Sequence, residues 1–283
     1  MHKTIEFLIN KKNSGERLDI FLSKEIKSLT RSYIKKLIEK KNVKLNKSIN
    51  TSPSTKIRTD DKKIINIIEE ENLKIIPNNI KLDVVYEDKD LLIINKPKGM
   101  VVHPGAGNYK NTLVNALIYK YKNNLSDING CLRPGIVHRI DKDTSGLIIL
   151  TKDRFSAAGI SKLFLEKRIY KHYLAITDKK FKKNNDFLIN TNNEDQIMKL
   201  RYRFLENKKN NFLYLVSLLT GRKHQIRLQF SLNNNPVTND IKFNRKITNG
   251  NLGLCAYSIK FNYKKNFYSF KLRYEEILNL FDF

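Results

Sequence analysis

Apolar residues recur along this chain with two periods, and the switches between them mark its elements. Leu18, Phe21, Leu22 and Ile26 follow helical spacing. A second helix is predicted from Arg31, with Thr30 as N-cap and Tyr33, Ile34, Leu37 and Ile38 on one face. Val43-Lys44-Leu45 reads as a short strand closed by a turn at Asn46-Lys47, and Ile64-Ile65-Asn66-Ile67-Ile68 as another. The acidic, Asn- and Pro-containing stretch 69–79 reads as a linker, so a small unit over 14–68 precedes a larger one over 80–283. In the larger unit, Val84-Val85-Tyr86 and Leu91-Leu92-Ile93-Ile94 predict strands joined across 87–90. Residues 112–121 set Leu113, Val114, Leu117, Ile118 and Tyr121 on a helix face, and 155–166 repeat the pattern with Ile160, Leu163 and Phe164. The unbroken run Leu147-Ile148-Ile149-Leu150 predicts a buried strand, and strands recur at 170–176 and 212–219.

Composition narrows the class. The chain has 283 residues, enough for two domains, and 40% of them are hydrophobic, enough to fill a core in each. Lys and Arg total 54 against 28 Asp and Glu, a net charge of +26 that suits a polyanion such as RNA. Part of that surplus reflects the A/T-rich codons that favour Lys, Asn and Ile; a basic binding face is expected beyond it. Cys131 and Cys255 match no metal or redox spacing, which fits a reducing cytoplasm, and the histidines show no zinc-ligand spacing. No signal-peptide core precedes Lys11-Lys12, and the longest apolar run, 212–219, is too short to span a bilayer. No long basic amphipathic helix favours membrane adsorption, so a soluble protein is expected.

One stretch carries the candidate chemistry. His138-Arg139-Ile140-Asp141-Lys142-Asp143-Thr144-Ser145-Gly146-Leu147 concentrates carboxylates, cations and a hydroxyl-Gly turn directly before the buried strand. Catalytic residues commonly sit on such a loop, held against a rigid element. The bland reading is a polar turn with Asp and Ser beside Gly. A calcium loop fits only in its first half, because its twelfth position needs a bidentate Glu and here holds Lys152. Gly105-Ala106-Gly107 lacks the third glycine of a dinucleotide loop, with Lys110 in its place, and no Walker pattern occurs. Neither a metal nor a nucleotide cofactor is expected.

The decapeptide resembles the H-R-L-D-x-x-T-S-G-L signature of the RluA-type pseudouridine synthases, departing from it only at Ile140. Further motifs stand in the family's order. Upstream are Asn95-Lys96-Pro97-Lys98-Gly99-Met100, Val101-Val102-His103-Pro104-Gly105 and Leu132-Arg133-Pro134-Gly135-Ile136-Val137. Downstream are Lys171-His172-Tyr173-Leu174-Ala175 and Thr220-Gly221-Arg222-Lys223-His224-Gln225-Ile226-Arg227. The 103–107 stretch is most similar to the RluD-like branch, which modifies ribosomal large-subunit RNA. Arg17-Leu18-Asp19, Thr30-Arg31-Ser32 and Val43-Lys44-Leu45-Asn46 resemble an S4 RNA-binding domain. Asn42 replaces the usual Gly there, and Asn tolerates a left-handed backbone.

The resemblance implies an α+β protein: a small S4-type α/β domain, then a catalytic domain with a mixed, mainly antiparallel sheet flanked by helices. It implies a bacterial, cytoplasmic, monomeric enzyme that isomerises uridine in RNA, most readily large-subunit ribosomal RNA, without cofactor or metal. Asp141 is then the reacting carboxylate on a flipped-out base, Arg227 its charge partner (with Arg222 as runner-up), and Tyr173 the ring that stacks on the base. Period-2 alternation sets Tyr173 on one face with Lys171 and Ala175, a polar neighbourhood that favours the site. Arg139 is expected to fill the gap the base leaves. His138, Thr144, Arg222 and His224 are expected on the substrate side, His138 by shaping the loop and not as an acid or base. In the S4-like unit, Arg17, Arg31, Lys35, Lys36 and Lys40 are expected on RNA phosphates, which position without reading sequence. The chain departs from the family in the Asn- and Lys-rich stretch 178–200, at Gln229 where His is common, and at Pro236-Val237-Thr238-Asn239-Asp240 where a V-G-D-like turn is usual. Those departures put substrate selection in doubt more than chemistry. The competing expectation is a non-catalytic RNA-binding or ribosome-assembly protein that keeps the fold.

Overall fold

In the computed structural model the chain divides into two units, Met1–Lys74 and Ile75–Phe283. The structure describes residues 2–26, 31–46, 48–49, 52–59, 62–68, 75–105, 107–122, 125–126, 134–244, 250–281 and 283. The predicted N-cap at Thr30 and the motif residues Leu132 and Arg133 lie outside that set.

The first unit sets helices α1 (Leu18–Glu25) and α2 (Arg31–Glu39) with a four-stranded sheet. Its strands are β1 (His2–Leu8), β2 (Val43–Leu45), β3 (Ser48–Ile49) and β4 (Lys62–Ile68), in the order β1-β4-β2-β3. The apolar faces of both helices close over Val43 and Ile57 in one core. The unit starts earlier than residue 14, because β1 pairs antiparallel with β4 along its whole length. At the turn before β2 the left-handed residue is Lys41 (φ 63°) and not Asn42. Arg17 and Arg31 converge on Asp19, whose side chain is fully buried, through hydrogen bonds of 3.0 and 2.9 Å. Burial would raise the Asp19 carboxyl, but hydrogen bonds and charge from the two arginines outweigh it and hold its pKa below the ordinary value. Two of the cations expected on RNA phosphates therefore also serve the fold: Arg31 ties α2 to α1, and Arg17 braces the start of α1.

The second unit is built on a nine-stranded sheet. Its strands are β5 (Asp83–Glu87), β6 (Leu91–Lys96), β7 (Ser145–Thr151), β8 (Tyr170–Thr177), β9 (Asn185–Thr191), β10 (Ile197–Lys208), β11 (Asn211–Leu218), β12 (Leu254–Tyr263) and β13 (Asn266–Lys271). The order is β5-β6-β7-β12-β8-β11-β10-β9, with β13 on β12. All pairings within it are antiparallel except β7 with β12. The helices are α3 (Leu113–Tyr121), α4 (Arg154–Leu165), α5 (Gln225–Leu232) and α6 (Tyr274–Leu280). Thr112 and Asp153 close capping boxes at the starts of α3 and α4, which is why those periodic stretches begin where they do.

Sheet faces explain the sequence pattern. Leu92, Ile94, Ile148 and Leu150 pack toward α3, while Leu91, Ile93, Leu147 and Ile149 pack toward α4, so β6 and β7 are apolar without a break. Ile75 and Ile80 pack against the α3 side, so the expected linker 69–79 ends inside the second unit. Stretch 178–200 is no simple loop: it enters the β9–β10 hairpin, where Met198, Leu200 and Tyr202 alternate inward.

Gly146 is the residue on which β7 meets β12. Its φ is +111°, and a Cβ there would lie 2.3 Å from the Ala256 carbonyl oxygen. Any side chain would thus combine a disfavoured backbone with a clash against backbone that cannot swing away. Gly146→Ala is expected to destabilise the fold by about 3 kcal/mol or more, read as a lowered denaturant midpoint. A midpoint equal to that of the parent chain would contradict this reading of the crossing.

Candidate active site

Three elements bring the candidate site together: the loop ahead of β7 supplies Asp141, β8 supplies Tyr173, and the start of α5 supplies His224 and Arg227. Asp141 Oδ2 lies 2.8 Å from His224 Nδ1 and 3.4 Å from Arg227 Nη1. Those two nitrogens are themselves only 3.2 Å apart. An Arg N–H can only donate, so a protonated His224 Nδ1 lets both groups converge on the same carboxylate oxygen. Among the described residues both contacts are made to Oδ2, so Asp141 is held through one of its two oxygens.

The short partner of Asp141 is His224, which the motif reading placed among substrate contacts. His224 sits at the N-cap of α5 with left-handed backbone (φ 54°), a conformation that costs a non-Gly residue energy and recurs at functional sites. Arg227 is chiefly bound elsewhere. Its Nε and Nη2 donate to Asp240 at 2.7 and 2.8 Å, and only Nη1 is left for Asp141. Asp240 is fully buried and also accepts from the backbone N–H groups of Lys242 and Phe243. Burial opposes the charge on Arg227, but Asp240 and then Asp141 more than offset it and raise its pKa. In the sequence Asp240 shows only as the carboxylate ending an unusual turn, because its partner Arg227 lies on another element.

Tyr173 is 8% exposed and belongs to an apolar cluster with Ile140, Ala175, Ile226 and Leu254. Its surroundings are thus apolar, contrary to the polar neighbourhood expected from alternation. Burial, and after it the Asp141 charge, raise the Tyr173 pKa. A phenol that keeps its proton at neutral pH suits stacking and hydrogen-bond donation better than taking a proton. Lys96, unassigned in sequence, is fully buried and donates to the carbonyls of Pro97, Met100 and Lys142 at 2.7, 2.9 and 3.0 Å. Burial pushes its pKa down to about 8, with Asp143 and Asp141 opposing. It ties the 97–100 loop to the residue beside Asp141.

The other expected residues divide. Arg139, two residues before Asp141, is exposed. His138 turns inward: Nε2 accepts from the Ile149 N–H at 2.8 Å and the ring packs 4.8 Å from Phe164. Burial, and then the charge of Lys171, push its pKa down to about 3, so it is neutral and faces the sheet and not the substrate. Thr144 is buried, and its hydroxyl has no hydrogen-bond partner among the described residues. Arg222 is exposed and, among the described contacts, does not pair with Asp141, because the chain turns at His224 before Arg227 points back inward. Gln229 is buried and donates to the Leu188 and Met198 carbonyls at 2.9 and 3.2 Å, tying α5 to the β9–β10 hairpin. The departures at 178–200 and at Gln229 are therefore one packing arrangement.

Beside Arg227 opens a cavity of 240 Å³ lined also by Lys98, Gly99, Asp143, Asn239 and Asn251. Among the described residues no cluster of His, Cys, Asp and Glu could hold a metal ion. No helix among them is long and apolar enough to cross a membrane.

A carboxylate loop on a mixed sheet, behind an S4-type unit, defines a class of RNA-modifying protein. The chain belongs to the RNA pseudouridylate synthase family, whose model matches residues 90–232, and an S4 domain model matches residues 16–62. It is 38% identical over 265 residues to ribosomal large subunit pseudouridine synthase D of Buchnera aphidicola from Acyrthosiphon pisum, covering 89% of this chain and 80% of that one. The enzyme of the same name from Zymomonas mobilis is 38% identical over 232 residues, 77% of this chain and 73% of that one. In fold it is similar to human RNA pseudouridylate synthase domain containing 1, with a TM-score of 0.58 at 19% identity over 72% of this chain and 87% of the other. The chain is therefore an RNA pseudouridine synthase.

Proposed function

We propose that this chain acts in the cytoplasm, as a monomer, on uridines of large-subunit ribosomal RNA, with Asp141 as the reacting carboxylate. The names of its relatives support the RNA. One observation carries the catalytic assignment: His224 and Arg227, more than 80 residues along the chain, converge on Asp141 Oδ2.

Pseudouridine forms when the C1′–N1 bond breaks, the base turns, and C1′ bonds to C5. The C5 hydrogen leaves as a proton and N1 gains one, so atoms and electrons balance. The step requires an ionised carboxylate beside the sugar, whether it first attacks carbon or removes a sugar proton. His224 and Arg227 hold that carboxylate in place through Oδ2. The base has to leave its stack to reach Asp141, at a cost of a few kcal/mol. Arg139, exposed two residues before the carboxylate, occupies the gap, since a guanidinium both stacks and binds phosphate. Tyr173 presents its ring to the base, and the S4-type unit adds phosphate contacts through Lys35, Lys36 and Lys40.

Tritium release from large-subunit ribosomal RNA carrying uridine tritiated at C5 tests this directly. Release at a small number of sites is expected. Binding of that RNA with no release would favour a protein that holds RNA without turnover.

A further inference from the structure

The outer face of the β9–β10 hairpin differs chemically from the rest of the sheet. Leu188, Met198, Leu200 and Tyr202 turn toward the core, which leaves the alternate residues of both strands on the opposite face. There Phe187 stands directly opposite Arg201, and Ile189 opposite Lys199. Phe187 is 48% exposed, and Ile189 and Ile197 are 60% exposed. β9 ends the sheet order, and among the described residues no further strand pairs with its outer edge. The Lys199 ammonium and the Arg201 guanidinium lie 5.5 and 5.8 Å from the Phe187 ring centroid. Along 185–191 and 197–203 this face carries no acidic residue. Asp186 alternates to the other side and pairs with Lys183 at 2.8 Å, while Glu194 and Asp195 lie in the connecting turn.

The ring and its two cations support one another across the strands, but several cations without an anion, beside exposed apolar groups, leave a positive field and a stacking surface unused by the fold. A polyanion with flat, apolar faces satisfies both. The geometry points to this face as a docking surface for single-stranded RNA, with one base on Phe187 and the flanking phosphates on Lys199 and Arg201. Sheets that bind single strands combine stacking rings with cations along the backbone in this way. An arriving phosphate draws the two cations off the ring and frees its face for a base.

The end of the hairpin is tied to the segment that leads into His224. The Lys199 carbonyl accepts from the Thr220 N–H and from Gln225 Nε2, both at 3.1 Å. Exposed Arg222 and Lys223 lie between those two residues, immediately before His224. RNA leaving the cleft therefore meets cations around the end of the hairpin. The inference rests on RNA as the substrate and does not depend on Asp141 as the reacting group.

The test is binding of the full-length protein to a fluorescein-labelled oligouridylate across a salt titration, with tritium release measured separately. Replacing Lys199 and Arg201 together by Ala is expected to lower the slope of log affinity against log salt by about 1.4, two single-strand phosphates at about 0.7 each. Phe187→Leu is expected to weaken binding about 5- to 150-fold, as loss of one stacked base does. Phe187→Tyr keeps both ring and strand packing and is expected to bind as the parent chain does, which separates lost stacking from lost folding. An unchanged slope in the double variant, or full binding by Phe187→Leu, overturns the proposal. So does a double variant that loses only adsorption to anionic lipid vesicles. A lowered slope in a protein that releases no tritium supports the docking surface and rejects the catalytic assignment alone.

Discussion

Asp141→Asn is expected to reduce tritium release by about 10⁴-fold or more while leaving RNA affinity within about twofold of the parent chain. The substitution keeps the size of the side chain and an oxygen for His224 and Arg227, and removes only the charge and the reacting oxygen. Affinity is set by phosphate contacts spread over the surface, so one carboxylate in the cleft adds little to it and, if anything, repels the backbone. Gel-shift affinity and single-turnover tritium release, measured on the same RNA, check both halves. Turnover within tenfold of the parent rate would move the chemistry to another group.

Asp240→Ala is the second large effect, although Asp240 does not touch Asp141. The variant strands the Arg227 guanidinium, 7% exposed, without the carboxylate that holds its Nε and Nη2. Removing one partner of a buried ion pair costs about 3–5 kcal/mol, which lowers the melting temperature of a domain this size by on the order of 10 °C. The freed guanidinium then turns fully onto Asp141 and occupies Oδ1 as well, so turnover falls beyond what stability explains. Asp240→Asn separates the two effects: it keeps acceptors for the Lys242 and Phe243 N–H groups but loses the charge that aims Arg227. Expected is a smaller loss of stability with most of the loss of turnover. If Asp240→Asn keeps full turnover at a temperature where it is folded, Asp240 does not position Arg227.

Much of the chain was legible before its structure. The helices at α1, α3 and α4 and the strands at β6 and β7 follow from periodicity, because each buries one or both faces along its whole length. The hairpin at β9 and β10 is hard to read from sequence because Asn and Lys dominate its composition. The inward alternation of Met198, Leu200 and Tyr202 was present, but diluted by a solvated outer face.

The sequence by itself determined the local devices. It set the capping boxes at Thr112 and Asp153, the apolar runs that must be buried, and a loop with a carboxylate next to a rigid strand. Only the tertiary structure decided what that carboxylate meets. His224 and Arg227 reach Asp141 across 83 and 86 residues of chain, and Asp240 takes two of the three Arg227 nitrogens. Gly146 is required by Ala256 on a strand far along the sequence. Motif spacing records which groups are present. Which oxygen each one binds depends on how separate elements pack, and packing is a property of the whole sheet.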